Sequence, residues 1–420
     1  MVTQVENERL TQVGPNTPMG KLLREFWTPA IRSEALEADG APQRVRLLGQ
    51  NFVAYRATDG RVGFLDEGCP HRRASLALAR NEQNGLRCIF HGWKFDIEGK
   101  CVDVPSEPPE QRDAFAARVP FKHYPVKEAA GMVWVYLGTR TTPPKFYDFE
   151  FHNGGPADSM VRCAIVHGNW LQGFEGQLDS AHLGMLHSSS LITDASRSKN
   201  SIDFSRVNTS PRFEFIDMPY GFREAALRDL GDGTTYARIR EVVFPYHSFI
   251  PGPHGQPRLV VTIVPMDDEW SAHYYYQVNP FGPIPDWTRQ RAMDGCMPNS
   301  DNYSEDMGDA SNMWHQDREA MKNGHWSGIT KHLTYEDFIV EASMGPIADR
   351  TEEFLGTSDL VVVRARRMFM KAMREFEDSG KLPWAVDEDT DYSRIRALAA
   401  RFPIDLDWRT MDIHNPPEIR

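Results

Sequence analysis

Two short segments of the chain each pair a cysteine with a histidine. They are Cys69-x-His71 and Cys88-x2-His91, with sixteen residues between His71 and Cys88. Thiolate and imidazole together suit zinc or iron. A second set of donors lies further on, in "NWLQGFEGQLDSAHLGMLH" (Asn169–His187). Glu175, Asp179 and His182 stand at i, i+4 and i+7, which is one face of a helix. His187 follows His182 by five residues, a rotation of about 140° on a straight helix. The two imidazoles therefore converge only if the helix bends or ends, and Gly184 is the place where it is expected to do so. Two histidines and one distant carboxylate form the facial triad of non-haem Fe(II) sites, which leaves coordination positions open.

In a zinc finger the cysteines usually come together and the histidines together, whereas here each segment offers one of each. A Rieske [2Fe–2S] centre divides its donors by iron, two thiolates on one and two imidazoles on the other. Two β-hairpin tips of this composition supply that division. Histidine ligation removes negative charge and raises the potential, which suits a cluster that accepts electrons from a reductase. Pro70 stiffens the first tip, Gly92 lets the second approach closely, and Trp93 and Phe95 are expected to pack beneath.

These sites need elements to hold them. From about Val45 to Gly138 the chain reads as short strands broken by glycine, with hairpins at Val45–Leu47 and Phe52–Tyr55 and a turn at Asp59-Gly60. "TTPPKFYDF" from Thr141 reads as a linker. After it, "RFEFIDM", "YGFREAALR", "TYARIREVVF", "RLVVTIVP" and "SAHYYYQV" read as consecutive strands of an antiparallel sheet, and the last third as mostly helix. The expected fold is α+β: an arm over 1–25, whose Leu22 and Leu23, with Trp27 just after it, dock on a neighbouring surface, a small all-β cluster domain over 26–140, and a larger catalytic domain over 141–420.

Composition narrows the function. The 420 residues are 40% apolar and 25% charged with a net charge of −12, which argues against non-specific nucleic-acid binding. No apolar run approaches a membrane span, and the N-terminus has neither the basic start nor the apolar core of a signal peptide. Five cysteines, Cys69, Cys88, Cys101, Cys163 and Cys296, are too few and too odd for a disulfide framework, so a reducing cytoplasm is expected. No dinucleotide fingerprint, flavin module or ferredoxin module is visible, so electrons must come from a separate protein.

With C-x-H…C-x2-H followed by D-x2-H-x4-H, the sequence resembles the Rieske non-haem iron ring-hydroxylating oxygenases. The flanks "GPNTPMGKLLREFWTPA" and "QDR…ED…SMGPIADRTEEFLGTSD" resemble the phthalate dioxygenase branch, with its phenoxybenzoate oxygenases and biaryl O-demethylases, so the likeness covers nearly the whole chain. The resemblance implies that Cys69, His71, Cys88 and His91 hold the cluster and that His182 and His187 bind a mononuclear iron. A late aspartate supplies the third ligand. Of Asp317, Asp337, Asp349 and Asp359, Asp337 fits best, because Glu336 precedes it and Glu341 follows as in the family. Asp349 is expected to pair with Arg350. Asp179 resembles the family's bridging aspartate, receiving electrons from His71 or His91 of a neighbouring subunit, which implies a homo-oligomer, typically a trimer. Glu175 and Asn169 are candidates for supporting the iron ligands, and His167 for a structural role.

The implied reaction is hydroxylation of an aromatic carboxylate with O₂, as cis-dihydroxylation, or alternatively O-demethylation or ether cleavage. A bare electron carrier is disfavoured by the second site. A carboxylate substrate needs a cation in an apolar pocket. The strand residues Arg223, Arg238 and Arg240 are candidates, and Arg238 and Arg240 share a face.

Overall fold

The computed structural model describes residues 2–155, 157–190, 204–295, 307–384 and 390–416. Cys296 lies outside them. The chain forms two compact units, Val13–Phe146 and the combination of Met1–Gln12 with Tyr147–Arg420. The N-terminal arm is thus shared. The helix Gln4–Thr11 belongs to the larger unit, where the Asn7 side chain donates to Ala348 O at 3.0 Å. Leu22, Leu23 and Trp27 are buried in the smaller one.

The smaller unit is built of β1 (Thr28–Arg32), β2 (Gln43–Leu47), β3 (Gln50–Arg56), β4 (Val62–Asp66), β5 (Arg80–Glu82), β6 (Gly85–Arg87), β7 (Lys94–Asp96), β8 (Cys101–Asp103), β9 (Val126–Ala129) and β10 (Met132–Val135). They form three small antiparallel sheets, β1-β10-β9, β2-β3-β4 and β5-β6-β7-β8. The hairpins read from the sequence are present, with Gly60 at φ 87° in the β3–β4 turn. The two Cys-His segments follow β4 and β6 and are built alike. In the first, Cys69 N donates to Ala74 O and Arg73 N to Cys69 O, both at 2.8 Å. In the second, Cys88 N donates to Trp93 O at 2.8 Å and Gly92 N to Cys88 O at 2.9 Å. Each loop closes through a left-handed residue at the same step, Arg73 at φ 63° and Gly92 at φ 77°.

The larger unit is organised by one eight-stranded antiparallel sheet of β11 (Ser159–His167), β12 (Arg212–Met218), β13 (Gly221–Asp229), β14 (Thr234–Val243), β15 (His247–Ile250), β16 (Arg258–Pro265), β17 (Trp270–Val278) and β18 (Leu398–Pro403). The order is β11-β17-β16-β15-β14-β13-β12, with β18 also paired to β14. Strands β11, β15 and β18 were not read from the sequence, and β18 lies in the third expected to be mostly helical. The helices Leu333–Ser343 and Leu360–Ser379 are where that reading put them.

Register decides which residues share a face. Glu224 opposes Arg240 and Ala226 opposes Arg238, so with period two Glu224, Arg228, Arg238 and Arg240 lie on one face. The opposite face carries Ala225, Leu227, Ala237 and Ile239, packed against Leu398, Phe402 and Trp408 of the C-terminal segment. Among the described residues no helix is long and apolar enough to cross a membrane.

Candidate metal centres

In the smaller unit the two loops bring their four donors together. Cys69 and Cys88 are buried, whereas His71 and His91 are only partly so. The two Nδ1 atoms face each other at 3.1 Å. Two nitrogens each about 2.1 Å from one metal, at a little over 90°, stand roughly that far apart. Burial pushes the Cys69 thiol up to about 12, with Cys88 beside it adding to the effect, so a bound cation is what would stabilise thiolates here. Trp93 stacks on His71 with centroids 4.6 Å apart and donates to Ser106 Oγ at 3.0 Å. Phe95 is buried against Phe121. Gly92 is doubly constrained, because beyond its φ a Cβ would meet Pro105 Cγ at 2.6 Å.

In the larger unit the helix Trp170–Leu178 ends one residue before Asp179, which is extended at φ −70°, ψ 121°. The expected helical face of Glu175, Asp179 and His182 therefore does not form, and the break precedes Gly184. The cause is local. Asp179 Oδ1 accepts Ala181 N at 2.6 Å, a turn that competes with helix continuation. His182 then starts the 3₁₀ turn His182–Gly184. Gly184 serves close approach instead, since a Cβ there would meet Ser205 O at 2.4 Å.

That path turns His182 and His187 toward each other and toward Asp337 of the helix Leu333–Ser343. Donor atoms of these three lie within 4.8 Å of one another. Asp337 Oδ1 is 3.1 Å from His187 Nε2 and 3.5 Å from His182 Nε2. The opposite nitrogen of each ring meets another carboxylate, Asp179 Oδ2 at 3.2 Å from His182 Nδ1 and Glu336 Oε2 at 2.8 Å from His187 Nδ1. Glu336 is fully buried, and its other oxygen accepts from Ser327 Oγ at 2.5 Å. Carboxylates behind ligand imidazoles fix ring orientation and raise basicity. Burial opposes a charged His187, but Asp337 and Glu336 outweigh it and hold the ring up to about 10. Burial likewise opposes the Asp179 carboxylate, yet the His182 hydrogen bond, the Ala181 N–H and Arg240 keep it below the usual range.

The other candidates have other partners. Asp317 caps Ala320 N, Asp359 accepts from Gly356 N, and Asp349 accepts from Thr351 N at 2.9 Å. The expected Asp349–Arg350 pair is absent, because Arg350 instead reaches the partly buried Glu175 at 3.0 Å, joined there by Arg366. Glu175 is thereby turned away from the histidines. Asn169 caps Leu171 N and donates to Thr11 O and Asp268 O, a structural role. His167 stacks on Trp270 at 4.3 Å. Glu341 is buried, with its carboxylate 4.0 Å from His273 Nε2. Two contributors escaped the sequence reading: Ser327, for which no signal existed, and Glu336, noted only as a neighbour of Asp337.

A cavity of about 360 Å³ opens over His182, His187 and Asp337, with apolar walls from Leu183, Leu259 and Val261 and with Arg238 and Arg240 beside them. Arg223 is not among its lining residues. It opposes Glu241 on the other sheet face and pairs with it at 2.5 Å. Arg240 pairs with Glu224 at 2.9 Å. Arg238 is only 2% exposed, and its Nε meets no hydrogen-bond partner among the described residues. A more voluminous groove, about 710 Å³, runs between Phe215–Gly221 and the helix Leu360–Ser379, away from the histidines.

Known proteins carry two such domains in the same order. The model described as the Rieske [2Fe–2S] domain matches residues 26–125, and that described as LigXa C-terminal domain like matches 135–418. The 3-chlorobenzoate-3,4-dioxygenase oxygenase subunit of Comamonas testosteroni is 38% identical over 98% of each chain. The phthalate 4,5-dioxygenase oxygenase subunit of Pseudomonas putida is 37% identical over 97% of this chain and 94% of its own. The chain is a Rieske non-haem iron oxygenase subunit. The caffeine-bound QL mutant of NdmA from Pseudomonas putida CBB5 shares the fold, with a TM-score of 0.61 over 89% of this chain and 97% of that one at 16% identity. As an oxygenase subunit it carries a Rieske [2Fe–2S] cluster and a mononuclear iron, and it works with O₂, an organic substrate and a separate reductase. Both donor sets fit: two buried sulfurs with two facing imidazoles, and two imidazoles with a carboxylate beside a cavity.

Proposed function

We propose that this oxygenase hydroxylates an aromatic carboxylate by cis-dihydroxylation of the ring. The observation that carries the reading is Arg238, a buried guanidinium with an unpartnered Nε in the wall of the cavity over His182, His187 and Asp337. A buried donor left without a hydrogen-bond partner is costly, and a substrate carboxylate would relieve that cost with a charge-assisted hydrogen bond. The aromatic acids in the names of both relatives support the same class.

Cys69 and Cys88 would hold one iron of the cluster, and His71 and His91 the other. His182, His187 and Asp337 would hold the mononuclear iron. When bound, the cluster supplies single electrons and the mononuclear iron the place where O₂ is activated. The residues around them do the rest. Arg238 grips the carboxylate and so fixes which ring carbons face the triad, while Leu183, Leu259 and Val261 keep water from the ring. Glu336 orients His187. Asp179 orients His182 through Nδ1, and its partly exposed side is where a cluster histidine of a neighbouring copy would donate. The working assembly is then a homo-oligomer, most simply a trimer, in the cytoplasm, with a cluster domain over 26–140 and a catalytic domain over 141–420.

The test is product analysis. Purified oxygenase with a compatible reductase, NADH and O₂ is offered phthalate isomers, phenoxybenzoate and methoxylated biaryl acids. A dihydrodiol from a simple aromatic acid is expected. Formaldehyde released without any diol would instead establish O-demethylation.

A further inference from the structure

Asp179 occupies an electrostatically poor position. The last carbonyls of a helix lack intrahelical partners and carry the negative end of its dipole. Asp179 follows directly on Leu178, the end of its helix, and brings its own negative charge. Two arginines from the sheet answer this. Arg240 Nη1 donates to Leu178 O, and its Nη2 lies 3.4 Å from Ser180 Oγ. Arg228 Nη2 donates to Ser180 O at 2.5 Å, and its Nε to Asn208 O at 2.9 Å. The carbonyls on both sides of Asp179 thus end on guanidinium groups that are almost completely buried.

The bracket comes from register. Arg228 on β13 and Arg240 on β14 lie on the same sheet face, with Glu224 opposite Arg240 pairing it at 2.9 Å. A carbonyl needs only a neutral donor. Two buried guanidiniums cost far more desolvation than an amide or hydroxyl; the Glu224 carboxylate offsets part of that cost, and the Asp179 carboxylate, on the backbone they bracket, is the second anion near them.

We propose that Arg228 and Arg240 are positioning residues that clamp the backbone on either side of Asp179, hold its carboxylate on His182, and thereby set the rate of electron arrival at the catalytic iron. This rests on the reading of Asp179 as the connecting residue between cluster and iron. Arg228 is the cleaner probe because, unlike Arg240, it does not line the cavity.

The experiment uses the holoenzyme, with Arg228→Met, Arg228→Lys, Asp179→Asn and the Arg228→Met/Asp179→Asn double variant. The cluster is reduced, substrate and O₂ are added, and cluster reoxidation is followed by absorbance. Iron content, thermal midpoint and peroxide-driven product, which bypasses the cluster, are measured alongside. Reoxidation is expected to slow at least ten-fold in Arg228→Met and by less in Arg228→Lys, which keeps a charged donor. Peroxide-driven product per iron should stay within two-fold of wild type, and the double variant should be no slower than Asp179→Asn alone. Additive slowing in the double variant, or a parallel loss of peroxide-driven product, would overturn the inference and leave a purely structural role. So would reoxidation within two-fold of wild type in both Arg228 variants while Asp179→Asn is slow. Normal reoxidation in Asp179→Asn itself would instead remove the reading of Asp179, and the inference with it. If Arg228→Met does not fold, Arg228→Lys decides, with slowing of three-fold or more expected.

Discussion

Replacing Glu336 by glutamine should weaken Fe(II) binding about ten-fold and leave the cluster untouched. Glu336 is fully buried, with one oxygen 2.8 Å from His187 Nδ1 and the other 2.5 Å from Ser327 Oγ. Glutamine keeps the volume, and its amide oxygen can still accept the hydrogen bond from His187 Nδ1 while its NH2 faces Ser327 Oγ, which turns from donor to acceptor, so the charge is the main loss. A hydrogen bond to a charged group contributes about 1.5–3 kcal/mol and a neutral one about 0.5–1.5. The difference, roughly 1–1.5 kcal/mol, is about a factor of ten, at the lower end of the 10–100-fold that partners of ligand imidazoles usually contribute. The direction agrees with His187, which the adjacent carboxylates hold up to about 10 against burial. A proton held that firmly marks a site that favours a cation. The assay is Fe(II) retained against a graded chelator, with cluster absorbance as the internal control. Asp337→Ala serves as the reference and should lose the mononuclear iron outright while keeping the cluster spectrum. Fe(II) affinity within two-fold of wild type, or cluster lost in parallel with iron, would refute the reasoning.

Three other outcomes follow from single sites. Arg238→Met should raise KM for an aromatic carboxylate by about 10–100-fold, the 1.5–3 kcal/mol of a charged hydrogen bond, yet leave the neutral amide of the same ring little affected; equal losses for both would sink the assignment. Gly92→Ala forces a side chain to φ 77° and places a Cβ 2.6 Å from Pro105 Cγ, so cluster content should fall sharply while mononuclear iron stays; full cluster content would show that the loop tolerates the change. His247 is fully buried, and burial lowers it to about 3. As pH falls below about 6.5 the unfolded chain takes up a proton that the native ring refuses, so stability present above that pH is lost on the way down to 3. In urea denaturation His247→Asn should therefore lose about 2 kcal/mol less than wild type between pH 7 and 5; identical losses would contradict a neutral buried ring.

The cluster segments were legible because all four donors lie within 23 residues, on two loops whose shape is set locally. The strands β12, β13, β14, β16 and β17 were legible from alternation. Strand β15 is only four residues long, and β18 sits beyond the long helix and owes its state to pairing with β14. Propensity is a weak guide when burial against a distant partner decides.

At the proposed iron site the sequence supplied the donor types: His182 and His187 five apart and, far along the chain, Asp337 with Glu336 before it. Tertiary structure decided their direction. Helical periodicity placed Glu175, Asp179 and His182 on one face, but the Asp179 turn ended the helix and Glu175 went to Arg350 and Arg366. It also separated three similar strand arginines into a surface-side partner of Glu241, a clamp on Leu178 and a cavity guanidinium. Composition cannot make that distinction. A one-residue step along a strand reverses the side chain's face, and only the pairing of β13 with β14 and the segment packed against them settle which charges find partners.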